Sequence, residues 1–177
     1  MPTAFYRFIL AIALLLPMAA HAGDAEDFVA ANPVQQAKLL ETWAAQPDPA
    51  RIELINALQQ GELTVDGQPK TLRLNNRLRG LIDTALASHQ LLAADAKTRL
   101  AAQQLQKSAK PAQLKFLDQQ LASEEDESVH AALSLALANL QLVDTAPAVR
   151  LAAVRLLGET GDPLARTRLE SLLEPGV

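Results

Sequence analysis

The chain has 177 residues and carries 16 Lys and Arg against 20 Asp and Glu, a net charge of −4 that argues against a nucleic-acid partner. Apolar residues make up 49% of the composition but aromatics only 3%, so a core must be built mainly from Ala and Leu, which suits helices packed closely on helices. There is no cysteine, which excludes disulfide bonds and thiol chemistry.

In chain order, the first segment, residues 1–22, has the form of an export leader. Arg7 and the amino terminus provide positive charge, Phe8 to Ala20 form an apolar stretch of 13 residues, and Ala20-His21-Ala22 has the small-x-small form of a cleavage site. A membrane-spanning helix needs about 20 apolar residues, so the expectation is cleavage after Ala22 and a location on the periplasmic side of a bacterial inner membrane. Cleavage removes one Arg and no acid, moving the net charge from −4 to −5. No later stretch reaches spanning length, so the mature part is expected to be soluble, and it can bury about 70% of its unfolded surface without a covalent staple.

Residues 23–62 predict a helical hairpin. Asn32-Pro33 opens one helix running to Ala45, and Asp48-Pro49 opens a second that Gly61 closes; in each, a capping side chain precedes a Pro whose missing N–H costs nothing. Ala37, Leu40, Ala44, Ile52, Ile55 and Leu58 fall on inward faces. Residues 23–31 are expected to be frayed or a short first turn. From 63 to 74 the helical rhythm breaks, because Leu63-Thr64-Val65 and Thr71-Leu72-Arg73-Leu74 flank Asp66-Gly67-Gln68-Pro69, the pattern of a short β-hairpin. A lone hairpin is marginal in water, so it must lean on the helices.

Residues 75–177 predict helices over 76–88, 95–106, 111–121, 128–142, 147–157 and 163–173. Val149, Ala152, Ala153, Leu156 and Leu157 recur at the spacing of one dry helix face. Leu133, Leu135, Leu137, Leu140 and Leu142 surround their helix on several sides, which predicts the central and most protected element. Three segments share a pattern, Arg99-Leu100-Ala101-Ala102, His130-Ala131-Ala132-Leu133 and Arg150-Leu151-Ala152-Ala153, preceded by Asp95, Asp126 and Asp144. The first interval, 31 residues, has room for two short helices and their turns, whereas the second, 20, holds one helix. With Gly158 and Gly161 for the turn and Asp162-Pro163 launching the next helix, the run from Asp144 to Pro163 resembles HEAT-like repeats. The expected fold class is therefore all-α, an irregular HEAT-like α-solenoid with one short β-hairpin insertion, the hairpin and helices forming a single compact domain. Glu174-Pro175-Gly176-Val177 is no polar capping helix, so the array is expected to be cut short or continued by a further part.

Residues for chemistry are scarce. Beyond the leader only His89 and His130 remain, 41 residues apart and outside any spacing that puts two metal ligands on one helix face. Glu124-Glu125-Asp126-Glu127 precedes a helix start, where negative charge complements the helix dipole, and it lacks the spacing and Gly of a calcium loop. No Gly-rich phosphate loop or nucleophile elbow is present, so neither catalysis, cofactor nor metal is expected. Asn75, Asn76, Arg77 and Arg79 gather at the strand-to-helix junction. They either anchor the hairpin, with Asn capping the helix and Arg77 paired to an acid, or form a contact patch for a partner. Arg99, His130, Val149, Arg150, Gly158, Gly161, Asp162 and Pro163 are read as structural positions of the repeat.

Taken in order, the leader, the helical hairpin, the Asp66-Gly67 turn, the Leu74-Asn75-Asn76-Arg77-Leu78-Arg79 run, Arg99-Leu100-Ala101-Ala102 and the Val149-Arg150-Leu151-Ala152-Ala153 repeat resemble one known arrangement. It is the extracytoplasmic N-terminal region of the urea-type permease of the branched-chain amino acid ABC transporter family, and the resemblance covers essentially the whole chain. It implies a non-catalytic interaction or gating module whose partners are a permease membrane core and a periplasmic solute-binding protein. The sequence departs from the family by carrying no membrane core, so the resemblance implies a fragment, a separately encoded part or a truncated product that reaches the membrane only through that core. The alternative expectation is a free-standing periplasmic HEAT-repeat scaffold unrelated to transport.

Overall fold

A computed structural model describes residues 22–161 and 163–173. The leader readings for residues 1–21, that for Asp162 and that for the last four residues lie outside the described part.

Local capping chemistry starts several of the helices. Helix α1 spans Ala22–Ala30 and α2 spans Pro33–Ala45. The Asn32 side chain accepts from the N–H groups of Val34 and Gln35 at 3.0 Å, and Gln35 accepts in return from the Asn32 N–H, so two otherwise orphaned donors are satisfied reciprocally. A 3-10 turn over Pro49–Arg51, capped by Asp48, leads into α3, Ile52–Gln60, which ends where Gly61 turns left-handed at φ 76°.

The expectation of a frayed segment or a short first turn over 23–31 gives way to the nine-residue helix α1. Phe28 is completely buried and stacks on Trp43 with ring centroids 5.9 Å apart, while Arg51 lies 5.3 Å over the Trp43 ring and pairs with Asp24 at 2.7 Å. Nine residues are too few for an isolated helix, so the helix exists because Phe28 is anchored from outside it, by residues far along the chain.

Strand β1, Glu62–Val65, pairs antiparallel with β2, Gln68–Thr71, with Glu62 opposite Thr71 and Val65 opposite Gln68. The connection is only Asp66-Gly67, with φ of 52° and 71°, and positive φ at both central residues is what a type I′ turn requires. This corrects the expected four-residue turn: the second strand begins at Gln68, and of Thr71-Leu72-Arg73-Leu74 only Thr71 belongs to it. Pro69 fits because every residue of β2 is exposed and the strand has a free edge. Leu63, 4% exposed, fastens the hairpin to α1 and α3.

The remaining elements are α4 (Asn76–Gln90), α5 (Ala96–Arg99), α6 (Ala102–Ser108), a 3-10 turn over Pro111–Gln113, α7 (Leu114–Ser123), α8 (Glu127–Gln141), α9 (Pro147–Glu159) and α10 (Pro163–Ser171). The single helix expected over 95–106 is two. Bonds of the tighter i to i−3 type, Ala101 to Thr98, Gln103 to Leu100 and Gln104 to Ala101, mark the break. It separates a piece held by Arg99 from one held by Ala102 and Leu105, both almost fully buried.

Contacts run largely in chain order. Helix α4 packs on α2 and α3 on one side and on α6 on the other; α8 packs on α6, α7 and α9; α9 in turn meets α10. The core accordingly forms three clusters, from Ala25 to Leu86, from Ala87 to Leu137 and from Ala138 to Ala165, with α4 joining the first two and α8 the last two. Helix α8 was expected to be the most protected element, yet α4, of equal length, buries nine residues against six in α8. The face expected to be dry on α9 is narrower than its periodicity implies. Ala153 and Leu157 are buried and Val149 is half-buried, but Ala152 is exposed and Leu156 is 39% exposed, because among the described residues this helix packs mainly on α8 and α10. Among the described residues no helix is long and apolar enough to cross a membrane.

Candidate functional site

The corner around residues 75–79 divides its labour. Asn75 caps α4, its side chain accepting from the Leu78 N–H at 2.9 Å. Asn76, Arg77 and Arg79 are exposed. Arg77 has no ion pair among the described residues, so the expected lock between Arg77 and an acid is not formed there. The hairpin is instead held by apolar contact, with Leu63 inside the first cluster and Val65, Leu72 and Leu74 packed against that cluster. Arg79 borders a recess of about 120 Å³ beside Gln59 and Asp83, whose side chains bond each other at 3.0 Å.

Two of the three repeat positions share a geometry. Arg99 donates to the carbonyls of Ala93 and Ala94, and Arg150 donates to those of Asp144 and Thr145, the carbonyls six and five residues earlier in each case. Each guanidinium thus ties its helix to the loop that enters it. The acids differ: Asp95 and Asp126 cap α5 and α8 directly, whereas Asp144 bonds the N–H of Ala146 and sits two residues ahead of α9's cap. His130 is exposed on the first turn of α8. Gly161 takes the left-handed turn at φ 66°, while Gly158 lies inside α9 with open space around it, so the turn rests on one glycine.

The acidic run holds more than dipole charge. Glu124, with its side chain 5% exposed, accepts two parallel bonds from Arg99 at 2.7 and 2.8 Å and a third from the Asp126 N–H. The Arg99 bonds in the first place, helped by the backbone N–H groups of Asp126 and Glu125 against the opposing pull of burial, hold its carboxyl down to a pKa of about 2. Because the folded value lies below the ordinary 4.5, the unfolded chain takes up this proton first on acidification; the stabilisation is complete above pH 4.5 and is lost as the pH falls toward about 2. Glu124→Gln is expected to lower the melting temperature by roughly 5 °C at neutral pH and to flatten that acid dependence. Thermal melts at pH 7, 4 and 3 check it, and parallel curves for variant and parent would contradict the assignment.

His89, 1% exposed, lies where the first two clusters meet. Its Nδ1 lies 2.7 Å from the Ala85 carbonyl and so carries the proton, while Nε2 is buried without a partner among the described residues. Burial above all lowers its pKa, with the Ala85 bond opposing and the Arg51 charge assisting, which favours the neutral imidazole. Next to it the Ser88 hydroxyl donates to the Thr84 carbonyl and accepts from the buried Gln113 amide at 2.8 Å. Ser88 and Gln113 thus satisfy each other inside the stack, whereas His89 Nε2 has no partner among the described residues.

A cleft of about 380 Å³ lies between α6, α8, α9 and α10. Leu135, Leu157 and Ala165 supply its apolar lining, and Lys107 on α6 and Arg168 on α10 supply its cations. Asn139, near the C-terminal end of α8, bridges the walls: its Nδ2 donates to the Gln106 carbonyl at 3.2 Å, its backbone carbonyl accepts from Arg168 at 3.4 Å, and its buried Oδ1 has no partner among the described residues. The Gln106 carbonyl lies in the last turn of α6 and has no partner within that helix, which is why an amide is useful there. Sequence reading passed over Asn139; its signal was an amide within the largely apolar run from Ala131 to Leu142, where Ser134 and Gln141 are the other polar residues. Among the described residues no cluster of His, Cys, Asp and Glu is arranged to hold a metal ion. No protein-family model, no curated protein and no solved structure matches this chain.

Proposed function

We propose that the chain is the exported, non-catalytic N-terminal part of a urea-type permease of the branched-chain amino acid ABC transporter family. In this reading it is built as an irregular HEAT-like solenoid and serves as an interaction or gating module between the membrane core and the periplasmic solute-binding protein. The observation that carries the interaction role is the layered order of the helices, in which α4 and α8 each serve two cores while the outer side of α9 is not covered by any of the described residues. Leu151 is 50% and Val154 38% exposed on that helix, an apolar surface where a further layer or a partner could stack. The leader pattern over residues 1–22 supports export, and helix α1 starts at Ala22, so a chain cut after that residue keeps Phe28 and its anchors.

A tagged chain expressed with its transporter genes tests this reading. The periplasmic form is expected to begin at Gly23 by intact mass, a version lacking residues 1–22 is expected to stay in the cytosol, and cross-linking is expected to capture the permease core. Leu151→Asp with Val154→Asp should abolish capture without changing the helical circular dichroism. Full-length protein in the cytosol, or capture unaffected by the two substitutions, would overturn it. The second reading, a free-standing periplasmic scaffold, draws on the three clusters that close within this one chain, and export without capture of any transporter subunit would favour it.

A further inference from the structure

The cleft between α6, α8, α9 and α10 combines three features that local helix chemistry does not require to coincide. Lys107 and Arg168 each lie in the last turn of their helices, where positive charge complements the helix dipole, so either alone is unremarkable. They belong to different helices, however, and both border the same cleft. No carboxylate among the described residues lines that cleft, and the nearby Glu170 is already paired with Arg166 at 2.8 Å. The same cleft has an apolar lining, of which Leu157 is 2% and Ala165 5% exposed. Asn139 links the walls, its side-chain amide bonding to α6 and its backbone carbonyl receiving Arg168 of α10.

Such a site selects an anion with an apolar body. Size decides between a small molecule and a protein segment. A volume of about 380 Å³ falls within the range of small-ligand sites, whereas nine lining residues fall well short of the 20–30 or so that each side of a protein interface contributes. We propose that this cleft binds a small amphipathic monocarboxylate, its carboxylate held between Lys107 and Arg168 and its hydrocarbon portion against Leu135, Leu157 and Ala165. This site is separate from the α9 surface invoked for partner docking, and its test does not depend on the transport reading.

Hexanoate is a suitable probe, titrated into the purified, isotopically labelled protein and followed by backbone amide resonances. Saturable shifts are expected around Lys107, Leu135, Asn139 and Arg168. Hexan-1-ol and hexylamine are expected to bind about tenfold more weakly or worse, as loss of a charge-assisted bond implies. Lys107→Gln combined with Arg168→Gln should weaken hexanoate by a similar factor with the helical spectrum unchanged. If the double variant does not fold, Lys107→Gln alone carries the test, because Lys107 is exposed and outside the core. Hexan-1-ol binding as well as hexanoate, inorganic phosphate producing the same shifts with the same affinity, hexanoate shifts elsewhere on the protein, or no saturable shift in the tens of millimolar range would each overturn the proposal.

Discussion

Replacing Phe28 with Ala is expected to lower the unfolding free energy by about 3–5 kcal/mol, the cost of removing a fully buried aromatic ring. That is a large fraction of the about 5–15 kcal/mol that holds an ordinary domain together. The ring lies against Trp43, which also carries Arg51 on its face, and Arg51 in turn pairs with Asp24 in α1. Loss of the ring therefore frees one end of a linked set of contacts, and the amides of residues 23–30 should lose hydrogen-exchange protection before those of α2. Urea denaturation and exchange together test this, with Phe28→Leu as the milder control. A cost below about 1 kcal/mol would mean that α1 is an appendage, contrary to the complete burial of its one aromatic residue.

The second large effect is a contrast between two leucines that look alike in sequence. Leu133 on α8 is 1% exposed in the second cluster, and Leu133→Ala is expected to cost about 2–5 kcal/mol through lost burial and the cavity left behind. Leu156 on α9 belongs to an equally regular apolar pattern but is 39% exposed, and Leu156→Ala is expected to change stability by no more than about 0.5 kcal/mol. Chemical denaturation of the two variants in the isolated protein decides it. Similar costs would show that something in the protein covers α9 beyond α8 and α10.

Much of the helical layout was legible because it is written in local chemistry. Asn32, Asp48, Asn75 and Asp126 each satisfy N–H groups within three residues of themselves, and Pro33, Pro49, Pro147 and Pro163 open their helices or turns. The Asp66-Gly67 signal likewise located the hairpin, although the two-residue turn moved the second strand forward. The candidate site was much less legible. Asn75 could be read as a cap, but the roles of Glu124 and Asn139 depend on Arg99 and Gln106, which lie 25 and 33 residues away.

What the sequence determined by itself is the predominantly helical class, the helix starts, the hairpin and the leader-like pattern at residues 1–22. Each depends on residue type and spacing over a few positions, where backbone hydrogen bonding and side-chain periodicity act directly. The tertiary structure alone decided that α1 is anchored, that the helix after Asp95 breaks near Leu100, that α4 buries more than α8, and that the described residues cover only one line of α9. Periodicity shows that a face is apolar; burial depends on which element comes to lie against it, and that partner is set by contacts between residues far apart in the chain.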